Sequence, residues 1–320
     1  MAMTIDNKLV KVICAILFCV FTFSYLFFYQ ADILRVTQHI ASGGQTFYVP
    51  WLGGVLITIF LQLLQVGLNS ILHLKKRGVA MTYFPSVLVL IAITDISPNV
   101  AEKIEFHSSL WVLLSLFVIY IPIILYVKKY EPYEPELRSY GPVSQSMWIN
   151  LCFMFIMFLM VGTMANHDRR FHERARIESL VVDGDYKGAL QLIKQFGETD
   201  SVTSMLTIYS VARTGHLGDE LFEYPLVGGS TVLRPGKVHS LLLPDSLINN
   251  ATKTSANYQL IGFLLDKDLR GFMNHLPHYY PTDSLLPRYY KEAKLIYLRG
   301  VNKRMAHKGT YSYYFLNAKP

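Results

Sequence analysis

The apolar positions of this chain fall into blocks, and the blocks stop at about residue 165. Five runs occupy residues 9–29, 50–74, 79–94, 108–127 and 147–165, separated by polar connections. A bilayer admits only closed hydrogen-bonding structures, and these runs lack the alternation of barrel strands, so they predict helices. Crossing ~30 Å of hydrocarbon takes about 20 helical residues. The third run is short and contains Pro85. The expected fold is all-α: a five-helix transmembrane bundle over residues 1–165, then a soluble domain of α-helical hairpins over 166–320.

The edges of the runs support this reading. The first follows Lys8 and Lys11 and ends in Tyr25, Phe27, Phe28 and Tyr29. A signal peptide would end in small residues at a cleavage site, so this run reads as an uncleaved span with an aromatic interface belt. Pro50 and Trp51 open the second run, where proline suits a first helical turn. That run ends at Lys75-Lys76-Arg77, and the fourth, with Pro122 as a tolerated kink, ends at Lys128-Lys129. Residues 95–107 read as a loop and 130–146 as a proline-bearing connector.

Lys and Arg in the loops set the orientation. A cytoplasmic N-terminus places Lys8, Lys11, Lys75, Lys76, Arg77, Lys128, Lys129 and Arg138 inside, and leaves Arg35 and Lys103 outside. Five crossings then carry the tail to the far side. Arg169, Arg170, Arg174 and Arg176 pull against that placement, although large translocated domains obey the rule less strictly. If residues 79–94 only re-enter, the tail is cytoplasmic.

Composition adds less. With 52% hydrophobic and 17% charged residues the chain is too apolar for a simple soluble protein. The net charge of +7 reads as a topology signal, and no nucleic acid is expected as a partner. Cys14, Cys19 and Cys152 all lie in apolar runs, so there is no disulfide framework.

Polar residues inside the runs are the first candidates for function. Gln62, Gln65, Asn69 and His73 share one face of the second span. They predict either interhelical hydrogen bonds or a lined pathway for a polar substrate. Asp32, Arg35 and His39 follow the first span at helical spacing. They form an ion-pair cluster or, with Asp95, an acid site of the kind that lipid-linked transferases use.

In the tail, Ile177, Leu180 and Val181 make one helix face, and Ala189, Leu190, Ile193 and Phe196 make a second. Gly184-Asp185-Tyr186 is the turn between them, which predicts a helical hairpin. Residues 202–222 are arguably a second copy around Gly215, 31 residues on and near the 34-residue tetratricopeptide period. Residues 223–250 break the pattern. Helical period resumes at 256–265 and 269–275, stops at Pro277, and returns at 288–299. Stacked hairpins leave a groove, for which Tyr258, Tyr289, Tyr290 and Tyr297 are candidate lining residues, with half-buried packing as the alternative. The basic run from Arg288 onward and the arginines at 169, 170, 174 and 176 are candidates for lipid-headgroup contact. Walker A, GxSxG, HExxH, CxxC and GxGxxG motifs are absent from the sequence, and neither cofactor nor metal is expected.

The G-D-Y-x-x-A-L turn, the stretch RTGHLGDELFEYP (213–225) and the segment LPRYYKEA (286–293) resemble a family of bacterial multi-pass inner-membrane proteins with a tetratricopeptide-like helical tail. The resemblance covers mainly 170–300 and carries no activity with it. The repeat-like pattern, with no catalytic constellation in the sequence, instead points to a membrane-anchored interaction protein whose extracytoplasmic tail docks a protein or peptide. The alternatives are a membrane enzyme or transporter using the polar face of the second span, or a structural subunit of a larger complex.

Overall fold

The computed structural model describes residues 2–75, 77–100, 103–106, 109–133, 144–234, 236–244, 256–281, 285–301 and 303–318. Lys76, Arg138, most of the 130–146 connector and the end of the 223–250 segment lie outside the described residues. Among those described the chain is helical, with no strand and one isolated antiparallel bridge between Ile96 and Phe106. It divides into two compact units, Met1–His172 and Glu173–Pro320.

In the first unit, α1 (Ala2–Ser24) runs into a π-helical turn, Tyr25–Tyr29. Next come α2 (Ala31–Ala41), α3 (Pro50–Leu72), α4 (Phe84–Thr94) behind a 3-10 turn at Ala80–Tyr83, α5 (Ser109–Tyr130) and α6 (Gln145–Met164). Four segments are long and apolar enough to cross a membrane: Lys8–Tyr29, Pro50–Leu72, Leu110–Tyr130 and Gln145–Met164. The segment Ala80–Thr94 is apolar but shorter. Pro85 does not break it, because proline in the first turn removes an N–H that has no helical partner. The 30–49 connection holds a helix, α2, because Ile33, Leu34 and Val36 give it a face to bury.

Burial singles out α4. Ser86, Val87, Leu88, Leu90, Ile91 and Thr94 are all buried, and α3, α5 and α6 surround the helix. The longer helices expose large apolar side chains such as Trp51, Phe60, Leu63, Trp111, Val118 and Phe155. A helix apolar and buried all round is a core element.

Both ends of α4 are tied to α6. The Asn150 side chain accepts the Ala80 N–H at 2.7 Å, near the start of α6. Beyond the end of α6, the Asn166 N–H donates to Thr94 O at 3.2 Å and its Nδ2 donates to Ile96 O. Gln30, at the end of the π turn, donates through Nε2 to Asn166 O at 3.1 Å and to the Tyr25 hydroxyl at 2.8 Å. The start of α4 therefore lies with the start of α6, and its end lies with the ends of α1 and α6. Between these polar ends Phe18 packs on Tyr83 at 4.9 Å and Phe21 stacks on Phe158 at 3.9 Å.

The second unit contains most of α7 (Arg169–Val182), then α8 (Tyr186–Phe196), α9 (Ser201–Thr214), a four-residue α10 (Leu217–Glu220), α11 (Ala256–Leu265), α12 (Leu269–Tyr279), α13 (Arg288–Arg299) and α14 (Tyr311–Asn317). Aspartates cap three of the helices: Asp185, Asp200 and Asp268 accept from the N–H groups of Gly188, Thr203 and Gly271. Gly184 makes the α7–α8 turn at φ +79°. The helix expected to stop before Pro277 continues to Tyr279, since a proline near the last turn costs a single helical bond. The second helix of the 202–222 copy shrinks to α10 and a 3-10 turn, with Leu217, Leu221 and Phe222 buried.

One core joins these helices, and tyrosines fill much of it. Tyr289, Tyr290 and Tyr311 are fully buried, and Tyr258 and Tyr314 nearly so. The Tyr311 hydroxyl donates to Leu264 O at 3.2 Å and that of Tyr314 to Leu265 O at 2.9 Å, which pins α14 to the end of α11. A second tie is the buried carboxylate of Glu178, which pairs with Arg174 at 3.0 Å. It also accepts from Ser240 Oγ at 2.7 Å and from the N–H groups of Leu241 and Leu242 at 2.6 and 2.9 Å.

Burial pushes the hydroxyls of Tyr258, Tyr289, Tyr290 and Tyr311 above the ordinary tyrosine value, and that of Tyr314 up to about 12. The folded form therefore holds these protons more tightly than the unfolded chain does. Its stability is fully present below the unfolded tyrosine value of 10.0 and falls as pH rises past it. The loss reaches about 1.4 kcal/mol per pH unit for each tyrosine kept neutral. In an alkaline titration the exposed tyrosines such as Tyr297 ionise first, and the phenolate absorbance of the five buried ones is expected to rise in a later cooperative step together with loss of helicity. Ionisation of every tyrosine of the second unit near pH 10 with helicity intact would contradict the burial.

Candidate functional site

Gln62, Gln65 and Asn69 lie on one face of α3, and the first two are consumed by packing. Gln62 Nε2 donates to Gln65 Oε1 at 3.0 Å, and Gln65 Nε2 donates to Thr82 Oγ1 at 2.8 Å. Thr82 passes the chain on to Val79 O at 2.7 Å. Cys19 Sγ lies 3.7 Å from Gln62 Oε1. The result is a hydrogen-bonded seam joining α1, α3 and the 3-10 turn before α4. Asn69 is half-buried, and its Oδ1 has no partner among the described residues. His73 is not on the stripe. It takes φ +56° as the cap of α3, is exposed, and its Nδ1 lies 3.3 Å from Ile71 O.

Asp32, Arg35 and His39 are half-buried on α2. Arg35 and His39 both pack on Phe47: the guanidinium sits 5.4 Å from the ring centre and the imidazole stacks at 4.7 Å. That is a packing arrangement, with the α2 face folded over its own loop. Asp95 is buried at the end of α4.

The four arginines separate. Arg169 and Arg170 are exposed in the first turn of α7, and Arg176 is exposed further along it. Arg174 is instead committed to Glu178 and, through Nη2, to His239 O at 3.2 Å. Among the tyrosines, Tyr258, Tyr289 and Tyr290 are core residues and cannot line a groove, because their rings fill the centre of the unit. The hydroxyls of Tyr289 and Tyr290 reach inward to Gly309 O at 3.2 Å and Asn257 O at 3.4 Å. Tyr297 is 46% exposed.

The concave site of the second unit lies elsewhere, on the outer face of α13 and the loop after it. A pocket of about 750 Å³ is lined by Arg288, Arg299, Lys303, Arg304 and His307, with Leu295 and Ile296 as its apolar part. Glu292 is the one carboxylate in the lining, and both its oxygens are engaged. Oε1 pairs with Arg288 at 3.2 Å, and Oε2 accepts the Tyr311 N–H at 2.8 Å. The field in the pocket is therefore positive, and its chemistry suits a carboxylate or phosphate group. The sequence carried the signal as a run of eight Lys and Arg from residue 288 onward. What it lacked was the turn at Gly300, φ +77°, that brings Lys303, Arg304 and His307 back over Arg299.

The seam on α3 is open to test by a double-mutant cycle of Gln65→Leu and Thr82→Val. Thermal unfolding of the whole chain in detergent is expected to give a coupling of about 0.6–2 kcal/mol. Additive effects would mean that the two side chains are not bonded. Compared with protein-family models, with curated proteins and with solved structures, the chain matches none.

Proposed function

We propose that this chain is a membrane-anchored interaction protein of a bacterial inner membrane. Five helices cross the bilayer, with the N-terminus cytoplasmic and residues 166–320 forming an extracytoplasmic, tetratricopeptide-like helical domain. That domain holds an acidic segment of a protein or peptide partner. The observation that carries the reading is the basic pocket on α13, where four Arg and Lys side chains and His307 converge around one carboxylate that is already engaged.

The fifth crossing is supported by the ties of α4, whose two ends sit with opposite ends of α6. The orientation is supported by Lys8, Lys11, Lys75, Arg77, Lys128 and Lys129 at one end of the bundle. The hairpins α7–α8 and α11–α12 support a repeat-like tail, while the truncated α10 departs from the repeat pattern. A membrane enzyme or transporter working through α3 has weaker support, since Gln62 and Gln65 bond to each other and to Thr82.

The test is cross-linking and capture from cells with the full-length tagged chain and two charge-reversed variants. Arg299→Glu with Lys303→Glu and Arg304→Glu is expected to reduce recovery of the captured partner at least about tenfold, equivalent to roughly 1.4 kcal/mol. Lys187→Glu with Lys237→Glu, exposed residues outside the pocket, should leave recovery unchanged. Equal recovery by the wild type and the pocket variant would remove the pocket from the function.

A further inference from the structure

A groove of about 870 Å³ runs between α3, α4 and α5, walled by side chains such as Leu68, Leu88, Leu113, Phe117, Ile121 and Leu125. It exists because α5 packs on α4 and leans away from α3 for most of its length. At one end α5 returns to α3, and Leu72, Tyr120 and Ile124 form the floor of the groove there. There Tyr120 donates to Met81 O at 3.1 Å and stacks on Phe84 at 5.1 Å, and Leu72, Leu74 and Ile124 form a small buried cluster.

Two features identify the occupant. The first is length. From Trp111 to Leu125 the groove follows α5 for roughly 21 Å at 1.5 Å per residue, which exceeds the ~15 Å of hydrocarbon in one leaflet. The second is charge. Lys128 is one turn past Ile124, and its Nζ reaches across to Ile71 O at 3.3 Å, beside the groove residue Leu72. Lys75, Arg77 and Lys129 lie at the same end, where Glu131 is the acid among the described residues and accepts the Lys75 N–H. Tyr126 and Tyr130, with ring centres 4.3 Å apart, mark that end as an interface.

We propose that this groove holds an acyl chain of an anionic phospholipid whose phosphate lies against Lys128 and Lys75. The lipid fills the gap that α5 leaves and ties α5 to α3 through its headgroup. A zwitterionic lipid would fill the same groove but would gain less from these cations, beside which Glu131 is the carboxylate among the described residues. The site is independent of whatever the second unit binds, and it rests only on α3 and α5 crossing the bilayer.

Native mass spectrometry of the full-length chain in detergent tests this, with equimolar phosphatidylglycerol and phosphatidylcholine of identical acyl chains as probes. The wild type is expected to retain phosphatidylglycerol at least about fivefold over phosphatidylcholine. Lys75→Gln with Lys128→Gln should bring the ratio close to one. Ala92→Phe, which narrows the groove, should reduce adducts of both lipids, with helicity by circular dichroism reporting that the chain is folded. Lys8→Gln with Lys11→Gln, cations on α1, should leave the preference intact. A wild-type ratio near one, a ratio indifferent to Lys75 and Lys128, or an equal drop with Lys8 and Lys11 would each overturn the proposal. So would a lipid-free dimer as the dominant species, which would put a second copy in the groove.

Discussion

The first unit depends on how the two ends of its short, largely buried helix are satisfied. Ala80–Thr94 rises only about 24 Å, counting its 3-10 turn, against ~30 Å of hydrocarbon. Helix ends leave N–H and C=O groups without helical partners, and hydrocarbon offers none. The asparagines that bracket α6 supply the missing partners. Asn150 takes the first N–H of the 3-10 turn, and Asn166 gives its own N–H to Thr94 O and its side-chain amide to Ile96 O. With its ends met by protein, α4 can bury most of its surface against α3, α5 and α6. The longer helices turn one face to the bundle and leave large apolar side chains exposed on the other.

The second unit solves a different problem with related chemistry. Its core contains many tyrosines, and a buried hydroxyl is costly unless it finds an acceptor. Tyr289, Tyr290, Tyr311 and Tyr314 find backbone carbonyls, so each ring packs while its hydroxyl ties one segment to another. Glu178 does the same with a charge, gathering Arg174, Ser240 and two backbone N–H groups around one buried carboxylate. The inward ties leave the outer face of α13 to present its cations to solvent.

Some of this was legible in the residues. The apolar runs gave the four long helices to within a few positions, because twenty consecutive apolar residues allow little else. The faces Ile177–Val181 and Ala189–Phe196 were visible as helical periodicity, and Gly184 as their turn. The ties were not visible. Asn150 is one of a few polar residues in an apolar helix, and nothing local says that its partner is Ala80, 70 positions away. Tyr258, Tyr289 and Tyr290 looked like groove residues because an amphipathic ring suits a surface as well as a core. The hydroxyls of Tyr289 and Tyr290 reach carbonyls of residues 309 and 257, which no spacing encodes. The helix at 311–317 escaped the periodicity because seven residues make too short a window, although Thr310 caps it through the Tyr313 N–H at 3.2 Å.

If α4 is a full crossing held at both ends, the two termini of the chain lie on opposite sides of the membrane. Paired reporters test this most directly, with alkaline phosphatase and a cytoplasm-dependent fluorescent protein fused in turn after residue 318 and before residue 2. The account predicts phosphatase activity with no fluorescence at the C-terminus, and fluorescence with no phosphatase activity at the N-terminus. Fluorescence from both ends would contradict it, because α4 would then dip and return, and its ties to α6 would not hold in the bilayer.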